Sequence, residues 1–205
     1  MLLWFSIPIA QDLPPVTELQ RLIQRAQKRD KTAIGALYEL YAQRIYRYVA
    51  FRTPTVADAE DITGNVFLKM LESLPTYREQ GIPFEAWLYR IAAAKIADFY
   101  RRQRRRPQVE LTETMTHDAP LPEETLEERQ EFEMLRDALR GLTDEQQHIL
   151  ILRFIEHKSH QDVALLVGKS VSAVKSIQHR ALTELASRLG SRNKARHYLR
   201  GGGND

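Results

Sequence analysis

Three small or apolar residues, Ala164, Gly168 and Val174, stand four and six positions apart near the carboxy-terminal end of the chain. Two helices that cross closely need a small residue at the crossing. They need a residue tolerant of positive φ in the turn, and an apolar residue on the second helix facing the first. The spacing therefore predicts a helix-turn-helix. Val163 and Leu166 complete the inward face of its first helix, and Ile177 and Ala181 that of its second. The outward face of the second helix carries Ser172, Lys175, Ser176, His179 and Arg180, behind Ser170 as the predicted cap. No Asp or Glu occurs between Lys169 and Leu182. Hydroxyls, imidazole and cations without a competing acid suit phosphates and base edges in a major groove.

A second set of residues has different chemistry. Tyr77, Phe84, Trp87 and Tyr89 lie close in sequence, interleaved with Arg78, Arg90 and Lys95, and the run 101–106 supplies Arg101 and Arg102 among its five arginines. Aromatic faces stack on unpaired bases while cations hold the backbone, so this pattern fits a single-strand grip. Periodicity favours the core for Phe84 and Trp87, which leaves Tyr77 and Arg78, on a loop, as the better candidates for base contact.

These residues need elements to hold them, and nearly every periodic segment reads as helix. Thr17 to Gln20 fits a capping box ahead of Leu19, Leu22, Ile23 and Ala26. A second helix is predicted from about Thr32 to Phe51, and a third from about Thr55 to Leu74, with Gly64 in its middle as a mark of close packing. A fourth starts at Pro83, and Pro107 follows the arginine run at its end. Beyond the linker, Thr143, Ser159 and Ser170 cap three further helices. The predicted fold is all-α: two small helical domains joined by an acidic linker, the second containing the helix-turn-helix. The boundaries read from the sequence are an amino-terminal tail at 1–16, a first domain at 17–106, the linker at 107–131, a second domain at 132–190 and a basic, glycine-containing tail at 191–205.

Charge follows the same divisions. The chain has 205 residues and a net charge of +3. Residues 1–106 hold 17 Lys and Arg against 11 Asp and Glu, 107–142 hold 3 against 10, and 143–205 hold 10 against 6. Two basic blocks flank an acidic one, as expected of a chain that contacts a polyanion at both ends. Cysteine is absent, which excludes thiolate nucleophiles and cysteine-ligated metal sites. His148, His157 and His160 lack a clear third ligand and read as surface histidines. No stretch approaches the roughly 20 apolar residues of a membrane span. Met1–Ala10 is apolar but short and interrupted by Pro8, and reads as a tail. Phosphate-cradling glycine loops and paired carboxylates for metal-assisted hydrolysis are missing, so catalysis is not expected and no cofactor is implied.

The stretch from Asp58-Ala59-Glu60-Asp61-Ile62 through Val66-Phe67-Leu68-Lys69, followed by Phe84-Glu85-Ala86-Trp87-Leu88-Tyr89-Arg90-Ile91-Ala92, resembles the second conserved region of bacterial sigma factors. Leu142–Leu189, with Ser170-Val171-Ser172-Ala173-Val174-Lys175-Ser176, resembles their fourth region. Their order in one short chain is similar to the compact extracytoplasmic-function group. The resemblance covers roughly 20–106 and 135–190. It implies a cytoplasmic promoter-specificity subunit of bacterial RNA polymerase. Asp58, Asp61, Asn65 and Lys69 would meet the clamp coiled coil of the largest subunit, and the flap of the second-largest subunit would be a further contact of the chain. Tyr77, Arg78, Trp87, Arg90, Lys95, Arg101 and Arg102 would read and melt the minus-ten element. Ser170, Ser172, Lys175, Ser176, His179 and Arg180 would read the minus-thirty-five element. An anti-sigma protein is a further implied partner; a small-molecule ligand and membrane insertion are not. The chain departs from the family in having Gly64-Asn65 where many members have Gln-Glu, Ala94 where many have Asn, and His157 at a usual glycine. The rival reading is a helix-turn-helix regulator that acts without replacing the sigma subunit. Such a regulator would carry a ligand or receiver domain ahead of the motif, usually with strands.

Overall fold

A computed structural model describes residues 14–79, 81–105 and 134–190. The acidic segment 107–131, Arg106, residues 1–13 and the tail 191–205, on which several of the expectations above fall, lie outside the described residues, whereas 14–16, expected in the amino-terminal tail, lead into the first helix. Those described divide into two compact units, one built from 14–49 and 57–105, the other from 50–56 and 134–190. Among them there is no strand.

The first unit holds α1 (Val16–Gln27), α2 (Lys31–Ala50), α3 (Val56–Ser73), a short 3₁₀ turn (Leu74–Thr76) and α4 (Phe84–Arg105). The entry to α1 differs from the expected capping box. Pro15 stands at the helix entrance with φ −47° and ψ 144°, and no side chain caps it. Proline suits that position because it has no N–H to leave unsatisfied. Gln20, freed from capping, donates instead to Glu79 at 3.2 Å. Arg29 ends α1 in the left-handed region at φ 64°. Asp30 then accepts from the backbone N–H groups of Thr32 and Ala33, which starts α2. A hydrogen bond from Arg25 holds the Asp30 carboxyl below the usual carboxylate range.

Leu37, Tyr41 and Ile45 of α2, Ile62, Val66 and Met70 of α3, and Phe84, Leu88, Ala92 and Ile96 of α4 recur at helical spacing and are all buried. Each large aliphatic side chain buried this way contributes about 2 kcal/mol. Gly64 does not mark close packing: a Cβ built there meets nothing within 4 Å. Its helix cost is therefore uncompensated by any contact. Gly64→Ala should raise stability by about 1 kcal/mol, read as a later urea midpoint.

In the second unit, residues 134–140 form α5, followed by α6 (Asp144–Leu150), α7 (His160–Val167) and α8 (Val171–Arg188). Capping follows the expected chemistry. Thr143 and Gln146 exchange a full capping box, Ser159 and Asp162 do the same, and the Ser170 hydroxyl accepts from Ala173 N–H. After α6 the chain widens into a π-type turn over Ile151–Ile155, where Glu156 N–H reaches Ile151 O at 3.0 Å. His157, which stands where the family that the sequence resembles usually has glycine, adopts φ 51°. Gly168 ends α7 at φ 67°. Ile149, Leu152, Val163, Ala164, Leu166, Val174, Ile177, Ala181 and Leu185 fill the interior. The segment 50–56 belongs here through Arg52, which is 3% exposed, donates to Gln147 Oε1 at 3.0 Å and pairs with Asp144.

Candidate nucleic-acid interface

In the second unit the tight turn at Gly168 and the cap at Ser170 launch α8. Val174, Ile177, Ala181 and Leu185 pin one side of it into the core. Ser172, Lys175, Ser176, His179 and Arg180 are all exposed on the other side. Ser170 is exposed as well, but its hydroxyl is engaged: it accepts from Ala173 N–H at 3.2 Å and lies 3.1 Å from Ser172 Oγ. Lys169, just before the helix, pairs with Glu145 at 2.7 Å, which ties the turn to the start of α6.

Sequence reading missed the polar support behind α8. Arg153, from the π-type turn, is buried, bonds Lys158 O and donates to Gln178 Oε1 at 3.3 Å. His160 Nε2 lies 3.1 Å from the same Gln178 oxygen. Gln178 thus joins α8 to the π-type turn and to the first residue of α7. The only sequence signal for it is an arginine within an otherwise apolar stretch. His148, expected at the surface, is half-buried with its Nε2 turned inward, and among the described residues no three metal-ligating side chains converge.

In the first unit the aromatic residues form one cluster. Tyr77, expected on the loop surface, is buried at 9% exposure. Its ring centroid lies 4.6 Å from Trp87 and 5.4 Å edge-on from Phe84, which in turn lies 5.5 Å from Tyr41. Burial, with Glu79 nearby, pushes the Tyr77 hydroxyl up to about 12. Phe84 is buried, as its periodicity implied, whereas Trp87 keeps part of its surface open. Arg78 is exposed and donates to Tyr77 O at 3.1 Å. On α4 the 3.6-residue period puts Trp87, Arg90, Ala94 and Arg101 on the face opposite buried Leu88, Ala92 and Ile96, with Lys95 and Arg102 at its flank. Arg101 pairs with Asp98. The face therefore offers one partly open indole and a row of cations, a combination suited to unpaired bases.

On α3, Asp61 and Lys69 are exposed, while Asp58 and Asn65 are half-buried. Asn65 donates to Asp61 O at 2.8 Å and Lys69 pairs with Glu72 at 3.2 Å. Leu68 stands among them with 60% of its surface exposed, and Leu71 with 39%. Sequence reading did not single out Leu68, although it falls outside the apolar stripe of its helix. Exposed leucines beside paired charges have the character of a protein-contact surface.

Residues 37–106 match the family model described as Sigma-70 region 2, and residues 138–187 that described as Sigma-70, region 4. The chain is 35% identical over 173 residues to the ECF RNA polymerase sigma factor BldN of Streptomyces coelicolor, covering 83% of this chain and 66% of that one. It is 34% identical over 178 residues to the ECF RNA polymerase sigma factor SigD of Mycobacterium tuberculosis, covering 83% and 84%. Among solved structures, CnrH in complex with the cytosolic domain of CnrY is similar at a TM-score of 0.61 and 23% identity, over 83% of this chain and 96% of that chain. The sigma factor RpoE in complex with the anti-sigma factor NepR from Bartonella quintana gives 0.57 and 20%, over 76% and 96%. At these identities the structural likeness is one of fold.

Proposed function

The chain belongs to the extracytoplasmic-function group of RNA polymerase sigma factors, and from that premise we propose how its surfaces divide the work of starting transcription. The first domain, 17–106, binds core polymerase through α3, with Asp58, Asp61, Asn65 and Lys69 facing the clamp coiled coil of the largest subunit and Leu68 adding apolar contact. Its α4 face takes the melted minus-ten strand: Trp87 stacks on an unpaired base with Tyr77 behind it, and Arg78, Arg90, Lys95, Arg101 and Arg102 hold phosphates. The second domain, 132–190, sets α8 in the major groove of the minus-thirty-five element. There Ser172, Lys175, Ser176, His179 and Arg180 meet bases and phosphates, while Ser170 serves chiefly as the cap. The same domain meets the flap of the second-largest subunit.

The observation that carries this reading is the acid-free outer face of α8, presented to solvent by a helix whose other side is locked in the core. The acidic linker suits a basic channel of the polymerase, and an anti-sigma protein that covers these faces is the expected regulator. The chain contributes binding energy and strand separation, with the chemistry left to the polymerase. A regulator that leaves the sigma subunit in place is not supported, since the region-2 match spans 37–106 in addition to the helix-turn-helix.

The polymerase contact has a direct test. Asp61→Lys places a like charge wherever a basic partner faces α3, and should weaken affinity for core polymerase about tenfold. Titration of labelled chain with core enzyme reads this. Unchanged affinity would move the contact to another face.

A further inference from the structure

The aromatic cluster is braced from outside the segment that matches region 2. Gln27, at the end of α1, donates from its single Nε2 to two carbonyls, Leu74 O at 3.2 Å and Tyr77 O at 2.8 Å. These two carbonyls bracket the 3₁₀ turn that leads into the loop. Leu74 O also accepts from Tyr77 N–H at 3.1 Å, so the amide closes the turn from both ends. Gln20 lies two helical turns earlier and so on the same side of α1. It reaches Glu79 at 3.2 Å. Residues 20 and 27 both precede residue 37, where the region-2 match begins.

We propose that Gln27 is a positioning residue for the single-strand face. It sets where the Tyr77 ring stands against Trp87, and through that the tilt and openness of the indole. Among the described residues, the side-chain donors to the Tyr77 backbone carbonyl are this amide and the neighbouring Arg78 guanidinium. Its ring is packed 4.6 Å from Trp87, so a shift of the turn is passed directly to the stacking surface. This rests on the reading that Trp87 stacks on an unpaired base.

Three variants separate the donor from mere bulk. Gln27→Leu removes the N–H groups and keeps the volume. Gln27→Glu sets a carboxylate against two carbonyl oxygens. Gln27→Lys restores N–H donors on a chain of sufficient reach. Each is assembled with core polymerase and titrated with a single-stranded minus-ten oligonucleotide, intact and with an abasic site moved along it. The wild-type chain should lose affinity at one abasic position. Gln27→Leu and Gln27→Glu should bind the intact strand about tenfold more weakly, the equivalent of one hydrogen bond, and lose sensitivity to that position. Gln27→Lys should recover both, and all should bind the minus-thirty-five duplex equally. Wild-type affinity in Gln27→Leu and Gln27→Glu would overturn the proposal, as would equal losses in Gln27→Leu and Gln27→Lys. If the wild-type assembly itself fails to hold the single strand, the stacking reading falls, and this proposal with it.

Discussion

Replacing Lys175 and Arg180 together by alanine should lower affinity for the minus-thirty-five duplex by about a hundredfold or more and flatten discrimination between that element and a scrambled one. Both side chains are exposed on α8, no acid stands between Lys169 and Leu182, and the next acid along the helix, Glu184, is paired with Arg188 at 3.0 Å. A base-directed contact of this kind contributes about 1–3 kcal/mol of discrimination, and two of them give the expected loss. Binding to core polymerase should not change, because those contacts are assigned to α3. Anisotropy titrations at one fixed salt concentration measure both quantities. Salt must be fixed because phosphate contacts alone would shift affinity with ionic strength. Retained discrimination would mean that another surface reads the duplex.

Acid should destabilise the second unit through His148. Burial is the main cause, and the charge of Arg52 adds to it: together they push the imidazole down to about 4 from its ordinary 6.5. The sign follows from which state takes the proton. Below pH 6.5 the unfolded chain protonates His148, while the folded chain resists until about pH 4. The unfolded state therefore binds more protons across that window, and stability falls as pH drops through it. The limiting slope is about 1.4 kcal/mol per pH unit, roughly 3 kcal/mol over the window. His148→Leu keeps an apolar side chain in the site and removes the titration. Urea midpoints of the two chains, followed by circular dichroism from pH 7 to pH 4.5, should diverge steadily, with the wild type losing more. Parallel curves would show that His148 is protonated in the fold. Asp30 and Glu184, both held below the ordinary carboxylate range by arginine hydrogen bonds, act on both chains alike and only at lower pH.

The helix starts at Thr143, Ser159 and Ser170 were legible because capping is local chemistry: a hydroxyl and an N–H three residues apart. The same rule misread Thr17, where Pro14 and Pro15 had already fixed the entry and a distant Glu79 drew Gln20 away. The outer face of α8 was legible for a related reason, since one helix with one buried stripe decides what remains exposed. Tyr77 was not. It sits on a loop, and its burial depends on rings seven and ten residues further along that α4 brings back over it. Gly64 carried a visible cost in sequence, but whether packing demanded it was a question of space, and the space is open. The supports from Gln27 and Gln178 join residues 18 to 50 positions apart, beyond the reach of any local pattern.

Together the two domains are proposed to confer promoter choice on core polymerase. Run-off transcription from a pool of promoter templates, with purified core enzyme and added chain, tests it most directly. A transcript is expected from a defined subset of promoters only when the chain is present, and it should be lost with Lys175→Ala plus Arg180→Ala and with changes to the minus-ten strand. Transcripts whose choice of template does not depend on the chain would contradict it.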